Sequence, residues 1–410
     1  MRIVWVKANK LLPLHSGGDI RSYNILCQLA KDHAVTLLSY YDGSPDPAYE
    51  QELAKHFPEA VCVCTGKSDS RFARAVDFLR RVPHPAPFSV ARFTSSKVRA
   101  QLRNWFDAGV FDVAVCDFLD AAVNFPLNLR IPSVLFQHNV ESEIWRRHAL
   151  TETNPLKKPV YQVEFRKMLD YEQTAVGRFH HVVAVSEHDR DLMKRWVAES
   201  RITVVPTGVD LQQYRPDANA RELEGLVAFV GAMDWEPNVD AVEYFCNEIW
   251  PLVLAEIPSA RFRIVGRNPD RRVQRFASNS VEVTGRVASV VDHLRQTAVV
   301  VVPLRVGGGT RLKIYEAMAT GKAVVSTTVG AEGLDVHEGR DIILADTSRS
   351  FADAIITLLR DSALRRRLEQ SASELAAQYD WSSIGRRFGQ VLEGVARQAI
   401  ASTESYQVAG

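Results

Sequence analysis

No apolar stretch in this chain approaches the length of a membrane helix. The densest run is Val299–Leu304, where a bilayer crossing needs about 20 residues. Cysteine is scarce. Cys27, Cys62, Cys64, Cys116 and Cys246 are scattered, with no CxxC and no Cys/His spacing suited to zinc, so a disulfide scaffold and a zinc module are both excluded. Buried, reduced thiols in a cytoplasmic protein are the expectation, Cys62 and Cys64 sharing one face of a strand. An excess of one charge is also missing. Fifty Lys and Arg meet 49 Asp and Glu, for a net charge of +1, which removes the electrostatic case for a nucleic-acid partner. The opening MRIVWVKANK places lysines where a signal peptide needs its apolar core, so it reads as a first strand. The expected location is cytoplasmic, with the inner face of the membrane as an added place of work.

What is present is an α/β rhythm. At 410 residues and 46% hydrophobic, the chain suggests two domains of about 200 residues each. Short continuous apolar runs at Ile3–Val6, Val35–Ser39, Val61–Cys64, Val113–Cys116, Ser133–Phe136, His181–Val185 and Thr203–Val205 alternate with helical patterns at Asp19–Lys31, Val98–Asp107, Ser142–His148, Gln162–Val176 and Glu187–Val197. Continuous rather than alternating apolar strands predict a parallel sheet covered on both faces. The pattern restarts at Val227–Val230, with a helix over Val239–Ile249 and strands at Arg261–Val265, Val281–Thr284, Val299–Pro303, Ala323–Ser326 and Asp341–Leu344. The expected division is a first Rossmann-like domain over 1–205, a linker over 206–225, a second Rossmann-like domain over 226–380, and a last helix over 381–410 that packs back on the first domain.

Residues 71–105 depart from this rhythm. They are rich in Arg and Lys, with Asp77 the one acid, and interleave Phe72, Phe78, Leu79, Phe88 and Phe93 with Pro83, Pro85 and Pro87. Two readings stand open: a solvated insertion with its aromatics turned inward, or a peripheral membrane contact in which basic residues meet anionic headgroups.

The strongest chemical signal is VVVVPLRVGGGTRLKIYEAMATGK, Val299–Lys322. A buried strand runs into Gly307, Gly308 and Gly309, and a helix is expected from Thr310 to a cap at Gly321. Glycines let backbone approach an anion, and the free N–H groups of a helix start point at it. Arg311 and Lys313 fall in the first turn, where cations oppose the helix dipole unless an anion sits before them. Glu316, one turn on, is placed to accept from ribose hydroxyls. Neither a Walker loop nor a GxGxxG fingerprint is present. Asp189-Arg190-Asp191 reads as a capped helix start behind Ser186, not as a metal motif, and no metal site is expected.

PLRVGGGTRLKIYEAMATGKAVVSTTVGAEGL resembles the donor-site motif of the retaining family-four glycosyltransferases (glycosyl transferases group 1) of GT-B fold. VAFVGAMDWEPNVDAVEYF, VVPTGVDLQQYRP, SGGDIRSYNILCQLA and FQHNVESEIWRR resemble other motifs of that family, in the family's order. The resemblance implies two Rossmann-like domains facing each other across a cleft, and transfer of a sugar from a nucleotide-diphosphate donor to a glycan, lipid-linked or small-molecule hydroxyl, with retention and without metal or other cofactor. It assigns the donor diphosphate to Gly17 and Gly18 and to Arg311 and Lys313. It assigns the transferred sugar to His138, the base to Gly285, Arg286 and Val287, and the ribose to Glu316. Three departures stand out. The first glutamate of the donor motif falls on Gly308, the Arg and Lys usual after the second domain's first strand are replaced in Gly231–Asn238, and Thr207 stands where asparagine is common. A nucleotide-sugar epimerase on the same fold and a non-catalytic scaffold remain the alternatives.

Overall fold

The computed structural model describes all residues except 15, 68–76, 78–84, 153, 156, 218, 307–310 and 409–410. The chain divides into two units, Met1–Pro206 with Ile384–Gly410, and Thr207–Ser383.

In the first unit, strands β1 (Arg2–Ala8), β2 (Ala34–Tyr41), β3 (Val61–Cys64), β4 (Val113–Asp117), β5 (Ser133–Phe136), β6 (His181–Ala184) and β7 (Ile202–Val204) form a sheet in the order β3-β2-β1-β4-β5-β6-β7. Every pairing is parallel, and β1 is held on both sides, Ile3 opposite Val35 and Val113. Val4, Trp5 and Val6 are fully buried, as a strand covered on both faces requires. The covering helices are α1 (Gly17–Asp32), α2 (Pro47–His56), α3 (Phe88–Ala91), α4 (Ser96–Asp107), α5 (Leu119–Ala122), α6 (Glu141–Thr151), α7 (Lys158–Arg178) and α8 (Glu187–Met193).

In the second unit, β8 (Leu226–Val230), β9 (Arg261–Val265), β10 (Val281–Gly285), β11 (Val299–Val302), β12 (Ala323–Ser326) and β13 (Ile343–Leu344) take the order β10-β9-β8-β11-β12-β13. Helices α9 (Glu236–Tyr244), α10 (Trp250–Glu256), α11 (Arg271–Gln274), α12 (Val290–Gln296), α13 (Leu312–Ala319), α14 (Ser348–Arg360) and α15 (Ser362–Ala376) cover it. The helix expected over Val239–Ile249 gives way at Phe245 to a π-helical turn, Phe245–Ile249, before α10. Pro251 opens α10 and lacks the N–H that would continue the ladder. The last strand is shorter than expected because Asp341 is taken up by a turn, accepting from the His337 N–H at 3.1 Å and from Arg340 Nε at 2.9 Å.

The polar stretch read as a linker packs as part of the second unit. Trp381 lies where a side chain at Gly208 would be, and Pro216 lies against Gly321. Glu222 receives Lys322 at 3.0 Å and Arg365 at 2.8 Å. The final helix, α16 (Trp381–Val408), places Phe388 against Trp5 and Phe136, with ring centroids 5.4 and 5.0 Å apart. It crosses α1 at Gly385, where a Cβ would fall 2.3 Å from Gln28.

Both sheets reverse their strand order once, at β1/β4 and at β8/β11. In open parallel sheets the carboxyl ends of the strands beside such a reversal are where ligands bind.

Candidate functional site

In the second unit, the chain leaves β8 through Gly231. Its N–H donates to the Val265 carbonyl at 3.0 Å, and a Cβ on Gly266 would lie 1.6 Å from the Gly231 carbonyl oxygen. The two strand ends therefore touch backbone to backbone. A Cβ at Gly231 would also lie 2.9 Å from Lys313 Nζ and 2.6 Å from Asn238 Nδ2, so glycine is what lets the lysine lie across the strand end. Lys313 Nζ donates to Asn238 Oδ1 at 2.9 Å and sits 4.4 Å from the centroid of the Phe229 ring. Asn238, itself buried, is oriented by donating Nδ2 to the Ala232 carbonyl at 2.8 Å. Burial and the neighbouring Arg311 push the Lys313 ammonium down to about 7, against the pull of Glu316.

Arg311 is the N-cap of α13 and is buried. Its guanidinium is 5.8 Å from the ring of the exposed Trp235. No acidic residue lies in the first turn of α13, so two cations and a positive helix end share one place. Glu316 accepts from the Tyr214 hydroxyl. Burial raises its carboxyl, while Tyr214 and Lys313 oppose the rise. Helix α13 begins two residues later than the glycine-loop reading expects. Gly307, Gly308, Gly309 and Thr310 lie outside the described residues. Gly285 closes β10 with φ of 68°, a left-handed conformation that favours glycine, and Arg286 beside it is exposed. With Val287, these residues leave the edge strand, two strands or about 10 Å from β8. Arg311, Lys313 and Glu316 are thus gathered with Gly231 and Asn238, while Gly285–Val287 stand apart at the sheet's edge.

In the first unit the reversal is organised by Asp117, the last residue of β4, opposite Lys7 in register. Its carboxylate accepts from Trp5 Nε1 at 2.8 Å and His138 Nε2 at 2.6 Å, with Lys7 Nζ 3.6 Å away. Burial alone would raise Asp117, but Lys7 and His138 hold it well below the usual carboxylate range. Arg21 Nη1 donates to His138 Nδ1 at 2.8 Å. The imidazole proton is therefore on Nε2, facing Asp117. Burial lowers the His138 pKa to about 4, Asp117 opposing and Arg21 and Lys7 assisting, so the ring is neutral near pH 7. A sugar hydroxyl reaching for a ring nitrogen would have to displace Arg21 or Asp117. Phe118, which follows Asp117, has φ of 128°, a strained conformation for a non-glycine residue. Its ring meets the imidazole edge-on at 5.2 Å, and Phe136 lies 4.4 Å from it.

Gly17 and Gly18 open helix α1 behind the N-cap Ser16, which forms a capping box with Asp19, instead of forming a separate loop. A Cβ on Gly18 would stand 3.5 Å from His138 Nδ1. Ser186 caps α8 by accepting from the Asp189 N–H at 3.1 Å.

Several residues here escaped the sequence reading. Asp117 was hidden as the end of an apolar strand, and Arg21 looks like one more polar residue in an amphipathic helix. Asn238 and Gly231 were visible only as departures from a motif. Glu141, in the HNVE segment, is pushed up to about 8 by burial and by Asp120 and Glu172, Asn139 opposing. Burial also pushes Asp120 up to about 6, against Arg92 and Lys7. Glu172 caps α6 from the side, accepting from the N–H groups of Glu141 and Ser142, both at 2.9 Å. In the described part of 71–105, Phe93 is in the core and Trp105 packs on Phe111 at 5.3 Å. Phe72, Phe78, Leu79, Arg80 and Arg81 lie outside the described residues.

Comparison with known proteins adds the following. A family model described as Glycosyltransferase Family 4 matches residues 16–213. A second, described as Glycosyl transferases group 1, matches residues 224–361. The chain is 28% identical over 334 residues to a phosphatidyl-myo-inositol mannosyltransferase of Mycobacterium leprae, covering 77% of this chain and 83% of that one. It is 29% identical over 226 residues to a D-inositol 3-phosphate glycosyltransferase of a Nocardioides species, covering 46% and 47%. Among solved structures it is similar to sucrose-phosphate synthase from Thermosynechococcus elongatus, with a TM-score of 0.71 at 18% identity over 98% of this chain and 100% of that one. It is also similar to Anabaena HepE in complex with UDP, with a TM-score of 0.67 at 14% identity over 96% and 100%.

Proposed function

The chain belongs to the group 1, family 4 glycosyltransferases of GT-B fold and is a transferase enzyme, and from that premise we propose how it works and on what. The second unit holds the diphosphate of a nucleotide-sugar donor at Lys313 and Arg311, with Glu316 on the ribose side and Gly285, Arg286 and Val287 toward the base. The single observation that carries this is the ammonium of Lys313, desolvated over Phe229 and donating to Asn238 Oδ1 at the sheet's reversal. An incoming pyrophosphate restores its charge, and the charge growing on the leaving group is then met by groups already in place.

In the step itself, the bond from the anomeric carbon to the diphosphate oxygen breaks and one to the acceptor hydroxyl oxygen forms on the same face. The acceptor's proton passes to the departing diphosphate. The cations perform the neutralising role, so the reading calls for no metal. The first unit serves the sugar and the acceptor, His138 being fixed as a neutral ring for that purpose. The acceptor hydroxyl is carried on a membrane lipid, a reading supported by the phosphatidyl-myo-inositol mannosyltransferases among the relatives.

Thermal unfolding with a panel of UDP- and GDP-sugars tests the donor site. One nucleotide class should raise the midpoint, and Lys313→Ala should abolish the rise. A panel without any stabilisation rejects the donor assignment. Mass analysis of products formed on lipid extracts then distinguishes transfer from epimerisation.

A further inference from the structure

Away from the residues discussed so far, the first unit carries a cavity of about 380 Å³ between α3, α6 and α7, within the size range of small-molecule sites. Its walls are Phe88, Trp145, Val160 and Tyr161. Trp145 and Tyr161 have ring centroids 6.0 Å apart. The one acid in the wall, Glu164, is already engaged, accepting from the Phe88 N–H at 2.8 Å with Lys167 at 3.5 Å. Val160, one of the walls, is itself 44% exposed, so the apolar lining reaches the surface. A single exposed aliphatic is ordinary, but one that also walls an apolar cavity opens that cavity to a ligand from outside.

The rim is cationic. Lys157 lines the cavity, and with Lys158 it forms the start of α7, whose first turn holds no acid. Both lysines are exposed, so positive charge accumulates beside the apolar cavity that Lys157 lines. Position matters as well. Helix α6 begins three residues after His138, and Trp145 lies one turn beyond Glu141, about 6 Å along the helix axis.

We propose that this groove holds an acyl chain of an anionic membrane phospholipid, with the lipid phosphate at Lys157 and Lys158. This rests on the reading that the acceptor is carried on a lipid. The chemistry is that of an amphiphile: apolar walls remove the chain from water, and the lysines meet the negative headgroup. It places the membrane-facing surface on α6 and α7, with Phe88 of the segment 71–105 contributing one wall.

The test uses the full chain and vesicles of phosphatidylglycerol whose acyl chains carry bromine, a short-range quencher of indole fluorescence, against vesicles of plain phosphatidylcholine. Brominated phosphatidylglycerol should quench part of the emission, and Trp145→Phe should remove that part. Val160→Glu, a change at an exposed position, should weaken vesicle binding about tenfold while leaving the circular dichroism spectrum unchanged. Quenching that is the same in Trp145→Phe as in the parent overturns the proposal, as does unaltered vesicle binding by a folded Val160→Glu. The two readings fail separately. Quenching at Trp145 without sugar transfer to any lipid removes the lipid acceptor and upholds the groove. Transfer to lipid that is indifferent to Val160→Glu upholds the acceptor and removes the groove.

Discussion

The two sheet reversals treat charge in opposite ways. In the first unit Asp117 is enclosed by Trp5, Lys7 and His138, and His138 in turn by Arg21. The network closes on itself with paired charge. In the second unit Lys313 is buried beside the Arg311 guanidinium with Glu316 as the opposing carboxylate, and Tyr214 already donates to Glu316. Lys313 responds by giving up part of its charge. A closed network resists change, so its residues fix geometry. On the proposed reading, a buried lysine depressed toward neutrality regains its charge against an incoming anion, so its role is to bind. On that reading the same sheet topology supplies a positioning site in one unit and a charge-receiving site in the other.

The sharpest way to break this contrast is to remove the centre of the closed network. Asp117→Ala leaves buried Lys7 with only the partly exposed Asp19, 3.4 Å away, and strips His138 of its Nε2 partner. It should destabilise the first unit by about 3–5 kcal/mol, the cost typical of removing one partner from a buried ion pair. Chemical denaturation followed at the first unit's tryptophans checks this. A loss below about 1 kcal/mol, the level of a surface pair, would show that the network is not closed.

Lys313→Met should do the reverse. The ligand-free thermal midpoint should hold or rise, because a desolvated cation is replaced by an apolar chain over Phe229, while turnover falls roughly 10²–10³-fold. The pH dependence sharpens the point. Buried, with Arg311 beside it and Glu316 opposing, Lys313 is charged below about 7 in the free protein, and a bound diphosphate should raise that value. Affinity for a nucleoside diphosphate should therefore be full below pH 7. It should weaken above it, by up to about tenfold per pH unit, and the slope should vanish in Lys313→Met. A slope that survives would move the titration to another group.

Much of this was legible in the sequence, and the parts that were not share a cause. Continuous apolar strands announced both sheets, since burial on two faces leaves a run such as Val299–Val302 no room for polar residues. That Arg311, Lys313 and Glu316 lie together was legible because cations at a helix start contradict the dipole and need an explanation, and Glu316 follows one turn on. Asp117, Arg21 and Asn238 were not, because each owes its role to a partner distant in sequence. Asp117 meets Lys7 across a register, Arg21 meets His138 from another helix, and Asn238 meets Lys313 across the reversal. Local pattern reports strand, helix and cap, and the pairing of side chains across the sheet is set by topology. The helix boundary at Tyr244 was missed for a related reason. Periodicity continues through Phe245 and Ile249, and only the backbone chemistry of Pro251 shows the change.

The smallest expected effect tests where the closed network ends. Glu141 lies in the first unit beside Asp120 and Glu172, and burial with those two acids pushes it up to about 8. An acid whose folded value exceeds its unfolded one binds a proton in the native state that the unfolded chain has already released. Stability then falls as pH rises from about 4.5 to 8 and levels off beyond. Glu141→Gln removes that dependence. Parent and variant should match near pH 4, and by pH 8.5 the variant should be the more stable. Glu141 is partly exposed, so solvent screening reduces the gain to about 1 kcal/mol, or about 2–4 °C in the midpoint of the first unit. Melting curves across that range decide it. Equal midpoints at pH 8.5 would mean that Glu141 is neutralised as fully as Asp117 and that closure extends into α6. A gain means that closure stops at His138, leaving the start of α6, one turn from Trp145, as a place in this unit where charge is still unsettled.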